Sequence, residues 1–303
     1  MAFLYALPGA VAEGLIWGLM AIGVYISYKI LDIADLTVDG SICTGACVCA
    51  VMLALGVPVW ICVPVAFLVG ALAGVLTGLL HTALGIPSIL AGILTQLMLY
   101  SVNLLILGGK SLTTIDHRAN PVLVHMSNNP MSIVAMVVMV AGTILVLWLF
   151  FYTEVGLTLK STGDNPDMSR AQGVDVNRNK VIGLAIANGI VAMAGAMLAQ
   201  YKGSANINDG RGAIVIALAA IFIGLSISMK IKPNFVCSLI GVVGGGIVYY
   251  IVYNFVILMG LKTDYLKMLS AIIVALFLGI PYLKSEHFSR QKAPQKTGGK
   301  TDA

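Results

Sequence analysis

Charge is what this sequence has least of. Only 10% of its 303 residues are Asp, Glu, Lys or Arg, where a soluble domain carries about 25%. That scarcity excludes a water-soluble globular chain. Nucleotide-binding and hydrolase motifs are missing too: there is no P-loop, G-x-S-x-G, HExxH or GxGxxG followed by an acid, so the chain has no nucleotide site or hydrolase apparatus of its own. His81 and His117 have no evident partner in sequence. The cysteines (Cys43, Cys47, Cys49, Cys62, Cys237) all lie in apolar segments and read as small packing residues. Cys43 and Cys47 would share a helix face, but no histidine lies nearby to complete a metal site. The net charge of +5 gathers in the stretch from Lys284 onward. It reports the orientation of a tail and gives no sign of a nucleic-acid partner.

Apolar runs are what remain. The chain is 59% hydrophobic with a mean hydropathy of +0.96, the signature of an all-α polytopic membrane protein in a lipid bilayer. No cleavable signal peptide is expected at its start. A spanning helix needs about 20 apolar residues. That length predicts about nine transmembrane or re-entrant helices, at 9–30, 38–56, 58–80, 87–107, 131–152, 181–200, 212–229, 235–258 and 265–283. Residues 1–283 form one transmembrane domain, and 284–303 form a basic tail without expected structure. In span 181–200, Ala185, Gly189, Ala192 and Ala196 make a small-residue stripe suited to helix packing. The run Gly244-Gly245-Gly246 fits either tight packing or a flexible point.

Basic residues suggest the orientation. With the tail on the cytoplasmic side, Lys29, Lys160, Arg170, Arg178, Lys180, Lys230 and Lys232 join it there, while Lys110, Arg118, Lys202, Arg211, Lys262 and Lys267 face outward. Without the tail the two sides nearly balance, so the tail decides. The C-terminus is then cytoplasmic, the N-terminus extracytoplasmic, and the polar segment 153–180 cytoplasmic.

Three polar stretches interrupt the apolar pattern. The first, LDIADLTVDGS, holds Asp32, Asp35 and Asp39. Asp39-Gly40-Ser41 reads as a helix start. The stretch allows three readings: an unwound segment at membrane depth of the kind that lines transporter paths, a plain turn, or a metal or catalytic site. The second, in GIPSILAGILTQLMLYSVN, puts Ser88, Gly92, Thr95 and Asn103 on one side of a span with Gln96 beside them. It suits either a solute route or hydrogen bonding between helices. By polarity and position, Asp35, Thr37, Asp39, Ser41, Ser88, Thr95, Gln96 and Asn103 are the candidate path residues.

The third stretch, 153–180, is too charged to cross a membrane. Asp164 or Asn165 can cap a short helix that begins at Pro166, continues through Asp167, Met168, Arg170 and Ala171, and stops at Gly173. Such an element is fit for docking.

At these stretches the sequence resembles the permease subunits of bacterial ABC importers in the branched-chain amino acid and ribose permease family. DLTVDGS (35–41) is similar to that family's D-L-S-V-G-S signature with Asp39 inserted. IPSILAGILT (86–95) resembles its P-x-F-I-x-T-L-G segment. GDNPDMSRAQGVDVNRNK matches its cytoplasmic pattern at Gly163, Asn165, Arg170, Gly173, Val174, Asp175, Val176 and Lys180. The resemblance implies a coupling helix at 163–173 (Gly163, Asp164, Asn165, Pro166, Asp167, Met168, Arg170, Ala171, Gly173) seated on cytoplasmic ABC ATPase subunits. Those subunits, not this chain, would bind ATP and Mg. It also implies an extracytoplasmic solute-binding protein, a second permease copy as homo- or heterodimer, and alternating-access import in the inner membrane. The form around Asp39 looks closer to an amino-acid subgroup than to the sugar or nucleoside branch. The alternative from another class is an integral membrane enzyme with a metal on Asp32, Asp35 and Asp39.

Overall fold

The computed structural model describes residues 2–115, 122–126, 129–231 and 234–258, with four further positions between 268 and 275. The first helix, α1 (Ala2–Tyr25), runs into a π-helical turn, Ile26–Ile30. The chain unwinds before α2 (Val38–Ala54) and then continues as α3 (Val59–Thr82), α4 (Ser88–Ile106) and the short strand β1 (Leu112–Thr114). Next come α5 (Asn129–Phe151), α6 (Glu154–Asp164), α7 (Pro166–Ala171), α8 (Val176–Lys202), β2 (Ser204–Asn206), α9 (Ala213–Ile231) and α10 (Phe235–Leu258).

Among the described residues six helices are long and apolar enough to cross a membrane, within α1, α3, α4, α5, α8 and α10. Two shorter apolar helices, Val38–Ala54 and Ala213–Ser226, accompany them. At 17 residues and about 1.5 Å per residue, α2 falls short of a full hydrocarbon core of about 30 Å. The expected ninth span, 265–283, lies almost wholly outside the described residues, and the tail 284–303 lies outside them entirely. The described residues are mostly helical, as an all-α chain requires, with one small ladder added. β1 and β2 form an antiparallel ladder with Leu112 opposite Asn206 and Thr114 opposite Ser204, because the two connecting loops meet at one end of the bundle and pair their backbone groups.

α8 is the axis of the bundle. It is mostly buried, and α1, α2 and α3 pack on it. Lipid offers no hydrophobic drive between helices, so close backbone approach does the work. Gly45 of α2 faces the Ala192 carbonyl, Gly70 of α3 faces Ala192 and Asn188, and Gly74 faces Leu184 and Ala185. The small-residue stripe of α8 is thus the seam on which its neighbours sit. A second seam joins α1, α9 and α10: Gly14 and Gly18 meet Ile247 and Val243, and Gly245 meets the Ala220 carbonyl. Of the run Gly244–Gly246, two glycines pack tightly while Gly244 faces open space. Apolar side chains such as Leu68, Leu72, Val138 and Leu149 cover the outside, as a lipid-facing surface requires.

The two ends of the bundle differ. At one end Gly163 abuts the Ile30 carbonyl and Asn179 donates to Thr162 at 3.0 Å. This gathers the end of α1, the α6–α7 pair and the start of α8. At the other, Tyr201 donates to the Gly9 carbonyl at 3.4 Å, close to the β-ladder.

Candidate functional site

Several backbone groups of the break between α1 and α2 find partners. The Leu31 and Ile33 amides donate back to Ile26 and Ser27 carbonyls at 3.0 and 2.9 Å. Asp32 takes a left-handed conformation, φ 54°, which a short polar side chain tolerates. Asp32 is exposed, whereas Asp35 is buried. Asp35 Oδ1 accepts the Thr37 amide at 2.9 Å, and its Oδ2 accepts Asn188 Nδ2 at 2.6 Å. Asn188 stands near the middle of α8. Its Oδ1 accepts Ser41 Oγ at 2.7 Å, while Nδ2 also donates to the Leu184 carbonyl at 3.1 Å. Thr37 and Thr77 share a hydroxyl hydrogen bond of 2.7 Å. One polar network therefore ties α2, α3 and α8 at the unwound segment. This meets the demand that non-helical backbone at depth be buried in protein. Gly92 of α4 packs so close to the unwound segment that a Cβ there would fall 2.7 Å from the Leu36 amide nitrogen, closer than any side chain allows.

Asp39 does something different. Its Oδ2 accepts the Gly212 amide and its Oδ1 the Ile214 amide, both at 2.9 Å. The first amides of a helix lack intrahelical acceptors and carry partial positive charge. Asp39, on α2, supplies the carboxylate that the start of α9 needs. Beside it, Cys43 Sγ accepts the Gly210 amide at 3.0 Å and donates to the Ile207 carbonyl at 3.3 Å. Cys47 packs with Leu107 and Ile207. The three acids thus serve three separate ends, because the helix that would have aligned them is broken. Among the described residues no three His, Cys, Asp or Glu side chains form a group able to hold a metal. The metal-enzyme alternative loses its site.

Between α2, α4 and the loop before α9 lies a cavity of about 370 Å³, lined by Asp39, Cys43, Gln96, Tyr100, Asn103 and Arg211 among others. Of the candidate path residues, Asp39, Gln96 and Asn103 stand on it. Asp35, Thr37 and Ser41 are taken up by the network around Asn188. Thr95 is buried and donates to the Ala91 carbonyl of its own helix at 3.0 Å. Ser88 opens α4. Sequence reasoning missed Asn188, Thr77, Tyr100 and Arg211. Asn188 carried a readable signal, a lone amide in the middle of an apolar span, which is costly unless used.

The segment 153–180 holds more structure than its capping signals promised. Thr153 Oγ1 accepts the Gly156 amide at 3.3 Å and starts α6, an amphipathic helix whose Leu159 is fully buried. Of the two possible caps for α7, Asn165 is used: its Oδ1 accepts the Met168 amide at 3.0 Å. Pro166 occupies the first turn, where its missing N–H costs nothing. Gly173, at φ 82°, ends the unit, and Asp175 caps α8 through the Arg178 amide at 3.1 Å. Asp164, Asn165, Pro166, Asp167, Met168, Arg170, Ala171 and Gly173 are all exposed. Gly163 is the member turned inward, onto Ile30. Met168 is 58% exposed, an apolar side chain presented beside the Asp167–Arg170 pair.

Comparison with known proteins adds an independent line. The family model described as branched-chain amino acid transport system / permease component matches residues 9–278. A tyrosine transport system permease protein of Clostridioides difficile is 35% identical over 267 residues, covering 88% of each chain. An uncharacterized protein of Rickettsia prowazekii is 29% identical, covering 91% of this chain and 97% of its own. A ribose import permease protein of Haemophilus influenzae is 23% identical over 68% of this chain and 65% of its own. No solved structure matches.

Proposed function

The chain belongs to the permease-component family of branched-chain amino acid transport systems, and from that premise we propose that it is the membrane subunit of an ATP-driven importer that carries an amino acid inward. It is a multi-pass membrane protein of a transport family. Two copies, or this chain and a homologue, line the passage. ATPase subunits drive it from the cytoplasm, and an extracytoplasmic binding protein delivers the solute. The α6–α7 end, and with it the C-terminal tail, faces the cytoplasm in the inner membrane, and the N-terminus faces outward. The amino-acid assignment rests on the similarity to the tyrosine permease. A sugar is the second reading, favoured by the ribose permease at lower identity and coverage.

One observation carries the coupling part of this reading. The exposed face of α7 and the unwound segment after α1 are joined by unbroken contact: Asn165 fixes α7 to the end of α6, Gly163 abuts the Ile30 carbonyl, and Thr162 binds Asn179 on α8. A push on α7 therefore bears on both the linker 31–37 and the foot of α8. When ATP binding draws the ATPase dimer together, α7 moves with it. The polar network around Asn188 stands next along that line of contact.

The test is reconstitution in proteoliposomes with ATPase subunits and a binding protein. Met168→Glu is expected to abolish ATPase copurification and ATP-driven uptake while the chain remains in the membrane. Copurification and uptake both equal to wild type would remove α7 as the coupling element.

A further inference from the structure

The cavity between α2, α4 and the loop before α9 has a chemistry that the packing of the bundle does not use. Asn103 is 1% exposed, yet its Oδ1 has no hydrogen-bond partner among the described residues. A buried acceptor left unpaired is costly, and this one belongs to a side chain that lines the cavity. Arg211 lines the same space, is exposed, and makes no ion pair among the described residues. The cavity's one carboxylate, Asp39, already receives the Gly212 and Ile214 amides. The cavity lining thus includes a guanidinium that forms no ion pair among the described residues and a side chain whose buried amide oxygen lacks a partner. Leu97 and Tyr100 supply an apolar wall. At about 370 Å³ it is at the small end of ligand pockets, which run from about 300 to 1,000 Å³, and takes a single small solute.

We infer that this cavity is a transit site for one zwitterionic α-amino acid, with the solute's carboxylate on Arg211, its ammonium on Asn103 Oδ1 and its side chain against Leu97 and Tyr100. The inference rests on the importer reading above and adds the recognition chemistry inside the membrane subunit. A guanidinium takes a carboxylate in a two-pronged hydrogen-bonded pair. An amide oxygen suits an ammonium, which has only donors to offer. Asp39 and Arg211 both line the cavity and form no ion pair with each other, so its formal charges sum to zero and it favours a solute whose own charges cancel but lie at separate ends. A sugar, with hydroxyls and no fixed charge, would leave the guanidinium unmatched.

Two measurements on the permease–ATPase complex test this. In proteoliposomes supplied with binding protein, Arg211→Ala, Asn103→Leu and the space-filling Leu97→Trp are each expected to lower L-tyrosine uptake per inserted chain by at least about tenfold, the loss of one hydrogen bond to a charged group or of the space itself. Arg211→Lys is expected to recover part of it. Without binding protein, radiolabelled L-tyrosine bound to the detergent-solubilised complex should be displaced by L-phenylalanine and not by tyramine, which lacks the carboxylate. Wild-type uptake with all three variants unaffected, or displacement by tyramine equal to that by L-phenylalanine, overturns the transit site while the importer reading stands. A wild-type complex that imports ribose and no amino acid overturns both.

Discussion

Asn188 Nδ2 lies 2.6 Å from Asp35 Oδ2, so the middle of α8 holds the unwound start of α2 by a single amide. Asn188 serves three partners at once, Asp35, Ser41 and the Leu184 carbonyl. Its removal strands a buried carboxylate oxygen and a buried hydroxyl together. Asn188→Ala is expected to destabilise the folded chain by about 1–3 kcal/mol, read as a lower midpoint of thermal unfolding in detergent. Ser41→Ala, which costs one bond, should lower it by about 1 kcal/mol. Equal midpoints for Asn188→Ala and wild type would show that the network carries no stability.

Asp39 gives a second test, separable from the first. As the acceptor for Gly212 and Ile214 it acts like an N-cap supplied from another helix. Asp39→Ala is expected to cost about 0.5–2 kcal/mol, and Asp39→Asn less, because asparagine also caps well. Hydrogen exchange at the Gly212–Ile214 amides should rise in the alanine variant. No change there would deny the capping role.

The glycines near the end of α6 and just after α7 predict opposite outcomes. A side chain at Gly163 would collide with the Ile30 carbonyl, so Gly163→Val should insert in the membrane yet lose most transport. Gly173 has φ 82° and open space around it. Gly173→Ala should cost about 1 kcal/mol of local stability and leave uptake near wild type. Similar uptake in both would break the contact argument.

Asp32 tests the end of α1. A left-handed residue accepts glycine freely and a β-branched one poorly, at about 1–2 kcal/mol. Asp32→Gly should therefore match or exceed wild-type stability and Asp32→Val fall below it, measured by thermal unfolding.

Orientation is checked by chemistry at the exposed Met168. Met168→Cys should react with a membrane-impermeant thiol reagent in inside-out vesicles and resist it in intact cells. Labelling from outside would reverse the topology and remove the docking of α7 on a cytoplasmic motor.

Features encoded by neighbouring residues were the ones legible in the sequence. Asn165, Pro166 and Gly173 announced α7 and its limits, and runs of apolar residues announced the helices. The break after Ile30 showed as an acid cluster, although Asp35 and Asp39 turned out to have unrelated partners and Asp32 to be exposed. Distant pairings were not legible. Asn188 meets Asp35 from 153 positions away, and the loops carrying β1 and β2 meet only once the bundle has formed. α6 was overlooked because glycine, threonine and serine interrupt its pattern, and its helicity depends on burying Leu159 against its neighbours. The polar stripe of α4 divided for a spatial reason: Gly92 turns to the unwound segment and Thr95 is buried, while Gln96 and Asn103 line the cavity.

Asp39 grows from one helix and completes the beginning of another. A slide of α9 along α2 by a single residue, about 1.5 Å, would strip two amides of their only carboxylate partner. Asp39 is therefore a latch between the two helices, and a relative slide of α9 on α2 must first release it.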